Sequence, residues 1–312
     1  MAKRFPGLHH LNLSGGEPFL RDDLAEIPGL FYRYSNTRFV TVATNSSLPE
    51  KVERDLERIC RSCPDAWVRL NQSLDGIGER HDAIRGKPGL YRSVLELNRR
   101  LERLSQRLPN LSVAVVSVLS GHNRDQISEL IAHAYRQLSF DDLGVLYARG
   151  RMREPAAREA DAEDYRRAQQ ACASRSQQSG ARRPLAGRLY AAVHRTSAEL
   201  LQTIIDQQRC LTPCTAGQHM VVMDDEGTLW PCEILQHYLD RSDAPLASAS
   251  LGNVRDFDYS IPRVLDRERA RAIRRYVVES RCFCSYECAM AANVLYTPAL
   301  WTRVVRNFLA MP

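Results

Sequence analysis

No apolar run in this chain reaches the ~18 residues that a membrane-spanning helix needs. The opening residues, Met-Ala-Lys-Arg-Phe-Pro-Gly, carry no apolar core of a signal peptide. Nor is there a dense basic block interleaved with aromatics, because the formal charge of +6 comes mostly from scattered arginines. These absences argue against a membrane protein, a secreted protein and a nucleic-acid groove, and leave an anionic ligand or a solvated surface as the reading of the charge. The chain is therefore expected in the cytoplasm, where thiols stay reduced. Nine cysteines in that setting read as metal ligands or catalytic groups rather than a disulfide framework. None of them precedes Cys60. With 312 residues the chain can bury a full core, in one large domain and a smaller one.

The stretch Leu8 to Leu20, LHHLNLSGGEPFL, organises the first half. An alternating apolar run ends at Ser14, and Gly15-Gly16 then allow a tight turn and the close approach of a ligand. Pro18 fixes the exit. Further strands are predicted at Phe39–Thr44, Trp67–Leu74, Leu111–Leu119 and Leu143–Ala148. Helices are predicted between them, at Pro49–Arg61, roughly Ser93–Arg107 and roughly Asp125–Gln137. Strands alternating with helices imply βα units and a parallel sheet whose ligands lie at the C-terminal strand ends. Those ends carry Ser14 to Glu17, Thr44-Asn45, Ser73 to Asp75, Ser117 to Ser120 with Asn123, and Arg149-Gly150.

From Arg151 to Gln208 the Ala-, Arg- and Gln-rich composition reads as helices with a flexible turn around Ser174 to Pro184. A hairpin follows, with strands flanking the turn Asp224-Asp225-Glu226-Gly227. It carries Cys214 and Cys232 at its two ends, so folding it back brings the thiols together. After a helix from about Arg263 to Glu279 comes Cys282-Phe283-Cys284-Ser285-Tyr286-Glu287-Cys288. Five cysteines in two clusters suit a four-thiolate site, and spacing alone leaves iron–sulfur and zinc both open.

Gly15-Gly16-Glu17-Pro18 at the end of such a strand resembles the motif with which radical SAM enzymes hold the amino group of S-adenosylmethionine (SAM). Ser73-Leu74-Asp75-Gly76, His81-Asp82, Arg85-Gly86 and Pro88-Gly89 resemble, in order and spacing, the string after the fourth strand in family members with C-terminal extensions. Thr44-Asn45-Ser46 is similar to their Thr-Asn-Gly, with Ser46 in place of glycine. Cys-x12-Gly-x4-Cys, from Cys214 through Gly227 to Cys232, resembles the opening of the SPASM or twitch extension. The resemblance runs from Leu8 to about Tyr296. It implies an α/β fold: a partial parallel (βα) barrel of radical SAM type, its first βα unit missing, over residues 1–205. A small α+β twitch/SPASM-like domain would occupy residues 206–312.

The resemblance also implies a cofactor site. Gly15, Gly16, Glu17 and Pro18 would line the amino end of SAM, with Thr44 and Asn45 at its mouth. Ser73, beside Asp75, would approach its carboxylate or ribose, and Ser117 to Leu119 would lie near the adenine. Cys214, Cys232, Cys284 and Cys288 would hold an auxiliary [4Fe-4S] cluster, with Cys282 competing with Cys284 and Cys210 a weaker candidate. The implied partners are SAM, a peptide or small-metabolite substrate, and an electron donor such as flavodoxin or ferredoxin, with no membrane or nucleic acid. The catalytic residues are not identified.

The family's Cys-x3-Cys-x2-Cys motif, which ligates the SAM-cleaving [4Fe-4S] cluster, is absent. Cys210/Cys214 and Cys284/Cys288 have the first spacing, but Gly217 and Ala291 stand where the third cysteine belongs. The preferred expectation is a fragment of a radical SAM enzyme lacking on the order of 30 residues or more at its start, and inactive in SAM cleavage as given. The alternative is a degenerate, non-catalytic iron–sulfur or zinc module that recognises a peptide or protein partner.

Overall fold

The computed structural model describes residues 1–152, 154–179, 185–240 and 246–310. The chain divides into two compact units. The first holds Ala2–Leu146 and the chain from Glu163 through α6; the second holds Tyr147–Ala162 and the chain from α7 onward. No helix among the described residues is long and apolar enough to cross a membrane.

In the first unit, β1 (His10–Leu13), α1 (Glu26–Ser35), β2 (Phe39–Thr44), α2 (Pro49–Ser62) and β3 (Trp67–Ser73) follow in order. Then come α3 (Glu79–Arg85), α4 (Leu90–Arg107), β4 (Leu111–Leu119), α5 (Ile127–Gln137), β5 (Asp142–Tyr147) and α6 (Ala162–Ser179). The five strands form one sheet in strictly sequential order, β1-β2-β3-β4-β5, and the first three pairings are parallel. Sequential order without a reversal is the order of a βα barrel, not of a doubly wound sheet.

Strand alternation divides the sheet into two faces. Val40, Val42, Val68, Leu70, Leu111 and Val113 point to one side and join a core with Val52, Leu56 and Ile59 of α2 and Leu97, Leu101 and Leu104 of α4. The helices supply these residues every three or four positions, as an amphipathic helix on a sheet must. Each fully buried Leu or Val contributes about 1.5–3 kcal/mol of transfer free energy. The other face carries a polar row: register places Asn12, Thr41, Arg69 and Ser112 side by side across four strands. There His10 Nε2 and Thr41 Oγ1 lie 2.8 Å apart. Arg69 donates to Asn71 Oδ1 at 3.0 Å and to Asp142 Oδ2 at 2.8 Å. A sheet with helices against one face and a polar row across the other has the character of a partial barrel.

The second unit holds α7 (Leu185–Gln207), β6 (Val222–Met223), β7 (Thr228–Trp230), α8 (Leu235–Leu239) and β8 (Gly252–Asn253). It ends with α9 (Ile261–Leu265), α10 (Glu268–Glu279), α11 (Glu287–Leu295) and α12 (Trp301–Leu309). The strands form a small antiparallel sheet, β6-β7-β8. Asp224 builds its hairpin turn, accepting from the backbone of Glu226 and Thr228 and from the Trp230 indole. Gly227, at φ +85°, completes it in a conformation that side chains resist.

Three expectations change. The helix read over Arg263–Glu279 is two helices, broken between Leu265 and Glu268. Where a turn is expected around Ser174 to Pro184, α6 stays helical to Ser179, and residues 180–184 lie outside the described residues. The helix α7, counted with the barrel by sequence, packs against α11 and α12 in the second unit.

Candidate functional site

At the end of β1 the backbone forms an open ledge. Ser14, Gly15 and Gly16 are exposed. Gly15 sits at φ +138°, and a Cβ added to either glycine would meet nothing within 4 Å. Immediately after the ledge the chain turns inward, with Glu17, Pro18 and Phe19 all buried. The Glu17 carboxylate accepts from Asn45 N at 2.6 Å, from Phe19 N at 3.2 Å, and from the Thr44 hydroxyl at 3.1 Å. Burial pushes this carboxyl above its usual range, while those donors and the Arg85 charge pull it back. Glu17 is thus the strut that ties the ledge to the end of β2.

Thr44 and Asn45 serve the same joint. The Thr44 oxygen accepts from Ser46 N at 3.0 Å, and Asn45 Oδ1 accepts from Ser47 N at 2.8 Å. Ser46 adopts φ +67°, the left-handed conformation for which glycine is favoured. Its buried hydroxyl accepts from Gln72 Nε2 at 3.2 Å, which offsets the conformational strain.

At the end of β3, Ser73 lies on the polar face with Arg69 and Asn71. Asp75 is buried and joins β3, α3 and β4. Its carboxylate accepts from Val118 N at 2.8 Å and lies 2.6 Å from Arg85 Nε. Its backbone N–H donates to His81 Nδ1 at 3.1 Å, and its carbonyl accepts from Asn123 at 3.0 Å. A Cβ on Gly76 would come within 2.7 Å of His81 N, so only glycine lets α3 pack this closely. Asp82 caps α4, accepting from Gly89 N at 2.5 Å and Tyr91 N at 2.7 Å. The string Ser73 to Gly89 is therefore a fastening for one strand–turn–helix passage. Ser117 and Leu119 are buried on the face shared with Leu111 and Val113. The Ser117 hydroxyl and His81 Nε2 are buried with no hydrogen-bond partner among the described residues.

The second unit gathers thiols. Cys214, Cys282 and Cys284 line one small cavity with Ile204, Thr212 and Met290. Burial pushes Cys232 up to about 11 and Cys284 up to about 12, and Cys282 higher still. After burial, the groups that raise Cys282 are Cys214, Cys284, Cys232 and Cys210, so these five sulfurs are electrostatic neighbours. Cys288 is exposed, and its charged neighbours are Arg149, Glu287 and Glu233. Among the described residues no three Cys, His, Asp or Glu side chains converge tightly enough for a single metal ion. Crowded neutral thiols of raised pKa are what a positively charged metal centre would deprotonate and hold.

An ion pair links distant parts of this unit. Glu287, at the start of α11, accepts from Tyr147 N and from Arg149 Nη1, each at 2.7 Å. Arg149 also stacks on the Tyr286 ring at 4.4 Å. Sequence reading placed Arg149 only as a strand-end residue. No local signal joins it to a carboxylate 138 positions away.

No family model matches the chain, and no curated protein matches it. Solved structures do. Hexahistidine-tagged anSMEcpe with bound AdoMet superposes with a TM-score of 0.58 at 13% identity, covering 100% of this chain and 85% of that one. Native anSMEcpe with bound AdoMet and Kp18Cys peptide gives 0.56 at 14% identity, covering 99% and 85%. Streptococcus suis SuiB gives 0.56 at 15% identity, covering 85% and 57%.

The fold is a partial (βα) barrel of the radical SAM type. At these identities the likeness establishes the fold alone. Within it, the ledge at Gly15-Gly16 stands at the C-terminal end of β1, on the side of the sheet where a βα barrel binds its ligands.

Proposed function

We propose that this chain binds SAM on the Gly15–Gly16 ledge, holds an auxiliary [4Fe-4S] cluster through thiols of its second unit, and acts on a peptide as part of a radical SAM enzyme. The observation that carries the reading is the ledge itself: two exposed glycines with open space above them, fixed from below by buried Glu17. The neighbouring structures with bound AdoMet and a peptide support the ligand classes. SAM, when bound and reductively cleaved, supplies the radical that removes a substrate hydrogen. The residues of this chain have positioning roles. Gly15 and Gly16 leave their backbone free to meet the SAM amino group, Glu17 with Thr44 and Asn45 holds that backbone still, and Ser73 offers a hydroxyl on the polar face. Cys214, Cys232, Cys284 and Cys288 are the preferred cluster ligands, with Cys282 competing with Cys284 and Cys210 a weaker candidate. An electron donor such as flavodoxin or ferredoxin would deliver the reducing electron.

One observation favours the second reading, a non-catalytic module. The sequence before Cys60 has no cysteine, so these residues supply no ligands for the SAM-cleaving cluster at the ledge. Anaerobic reconstitution with iron and sulfide separates the parts. About four irons per chain, SAM binding and no 5′-deoxyadenosine are expected of these residues alone. Supplying a Cys-x3-Cys-x2-Cys segment ahead of β1 should then give cleavage if the enzyme reading holds, and none if the chain is a module. Zinc in place of iron would overturn the cluster assignment.

A further inference from the structure

A cavity of about 260 Å³ lies wholly within the second unit and shares no residue with the glycine ledge. That is room for a small organic group rather than for a few waters. Two stretches of chain wall it. The end of β5 and the segment after it bring Tyr147, Arg149 and Arg158, and α8 with the residue before it brings Ile234, His237 and Tyr238. The permanent charge on the wall is of one sign. Among the described residues that line it, two are arginines and none is a carboxylate.

The two arginines are answered unequally. Arg149 Nη1 donates to Glu287 at 2.7 Å, from outside the lining. Glu233, also outside it, lies 3.7 Å from Nη2, beyond hydrogen-bond reach. Nη2 therefore keeps both N–H groups without a hydrogen-bond partner among the described residues, and 18% of the side chain stays exposed. Arg158 stands on the short 3-10 helix Pro155–Glu159, is exposed, and has neither ion pair nor hydrogen bond among the described residues. A guanidinium stays charged at any biological pH. One cation of the wall is thus balanced from outside the cavity, and the other is not balanced at all. One unanswered charge calls for a monoanion, and the planar fork of guanidinium N–H groups matches a carboxylate. Tyr147, Ile234 and Tyr238 add apolar surface for the organic part that carries it.

We infer that this cavity binds a carboxylate of the substrate, held by Arg149 Nη2 and the Arg158 guanidinium, with the adjoining apolar part against Tyr147, Ile234 and Tyr238. The inference deepens the peptide reading above and rests on it only for the kind of molecule. A peptide presents this group at its chain end or on an aspartate or glutamate side chain. SAM need not be bound.

The test titrates two matched pairs of probes into the full chain by calorimetry, without SAM. N-acetylphenylalanine, a chain-end carboxylate, is set against N-acetylphenylalaninamide. N-acetylaspartate α-amide, a side-chain carboxylate, is set against N-acetylasparaginamide. At least one acid should bind saturably and at least about tenfold more tightly than its neutral partner, since charge-assisted hydrogen bonds are roughly twice as strong as neutral ones. Whichever acid binds more tightly identifies the source of the carboxylate, and either result supports the inference. Arg158 has no partner to lose, so Arg158→Gln should keep the parent's melting temperature. It should weaken the tighter acid at least about threefold, as loss of an exposed ion pair does, and leave the neutral probes as they were. No saturable binding of either acid would overturn the inference, as would neutral probes that bind as tightly as the acids, or an unaltered acid affinity in Arg158→Gln. SAM binding is measured on a separate sample, so failure of the ledge reading leaves this result readable, and the reverse.

Discussion

Replacing Glu17 tests whether the ledge is held from below. Its carboxylate takes three donors, Asn45 N at 2.6 Å, the Thr44 hydroxyl at 3.1 Å and Phe19 N at 3.2 Å. Hydrogen bonds to an ionised group contribute about 1.5–3 kcal/mol each, and a donor left unmatched in the interior costs about 1–3 kcal/mol. Against this stands the cost of burying the carboxylate, visible in its raised pKa. Two of the three donors, Phe19 N and the Thr44 hydroxyl, sit on buried residues and would lose their acceptor in Glu17→Ala. The balance is a loss of about 2–4 kcal/mol for Glu17→Ala and about 1–2 kcal/mol for Glu17→Gln, which keeps one acceptor oxygen. Urea denaturation reads this as a lower midpoint at constant slope. A cycle with Thr44→Val should return a coupling of about 1 kcal/mol. If Glu17→Ala stays within about 0.5 kcal/mol of the parent, as a surface change would, the strut argument is wrong.

Two further predictions concern the β3–α3 turn. Gly76→Ala should destabilise by about 1–3 kcal/mol, since backbone must shift to relieve the 2.7 Å approach to His81 N; an unchanged midpoint would mean the turn is slack. His81 is fully buried, and burial lowers its pKa below the usual 6.5. Its contribution is complete above pH 6.5 and is lost as pH falls from there through the lowered value, because the unfolded chain then binds a proton that the folded chain refuses. Stability measured from pH 7.5 to 5 should fall in the parent and fall less in His81→Gln.

Local patterns were legible in the sequence, and distant contacts were not. The βα alternation, the Gly15-Gly16 ledge and the Cys214–Cys232 hairpin rest on periodicity and turn chemistry, and all are present. Of the string Ser73 to Gly89, the sequence points Ser73 and Asp75 toward a cofactor; the structure adds that Asp75, His81, Asp82 and Arg85 fasten α3 and α4. Capping carboxylates and ligand-binding carboxylates look alike as letters. The short helix α3 was hidden between glycines. The break between α9 and α10 carries no glycine at Asp266-Arg267, so no signal announced it. Glu17 with Thr44 and Arg149 with Glu287 join residues 27 and 138 apart, a distance no local pattern spans.

The central claim is that SAM lies on the glycine ledge, and SAM titration calorimetry of Gly16→Val against the parent tests it most directly. A Cβ added at Gly16 would meet nothing within 4 Å in the protein itself, so the substitution is aimed at a ligand rather than at the fold. The account predicts an unchanged melting temperature and a SAM affinity reduced at least tenfold, about 1.4 kcal/mol or more. Equal SAM affinity in the two proteins would place the cofactor elsewhere and contradict the assignment.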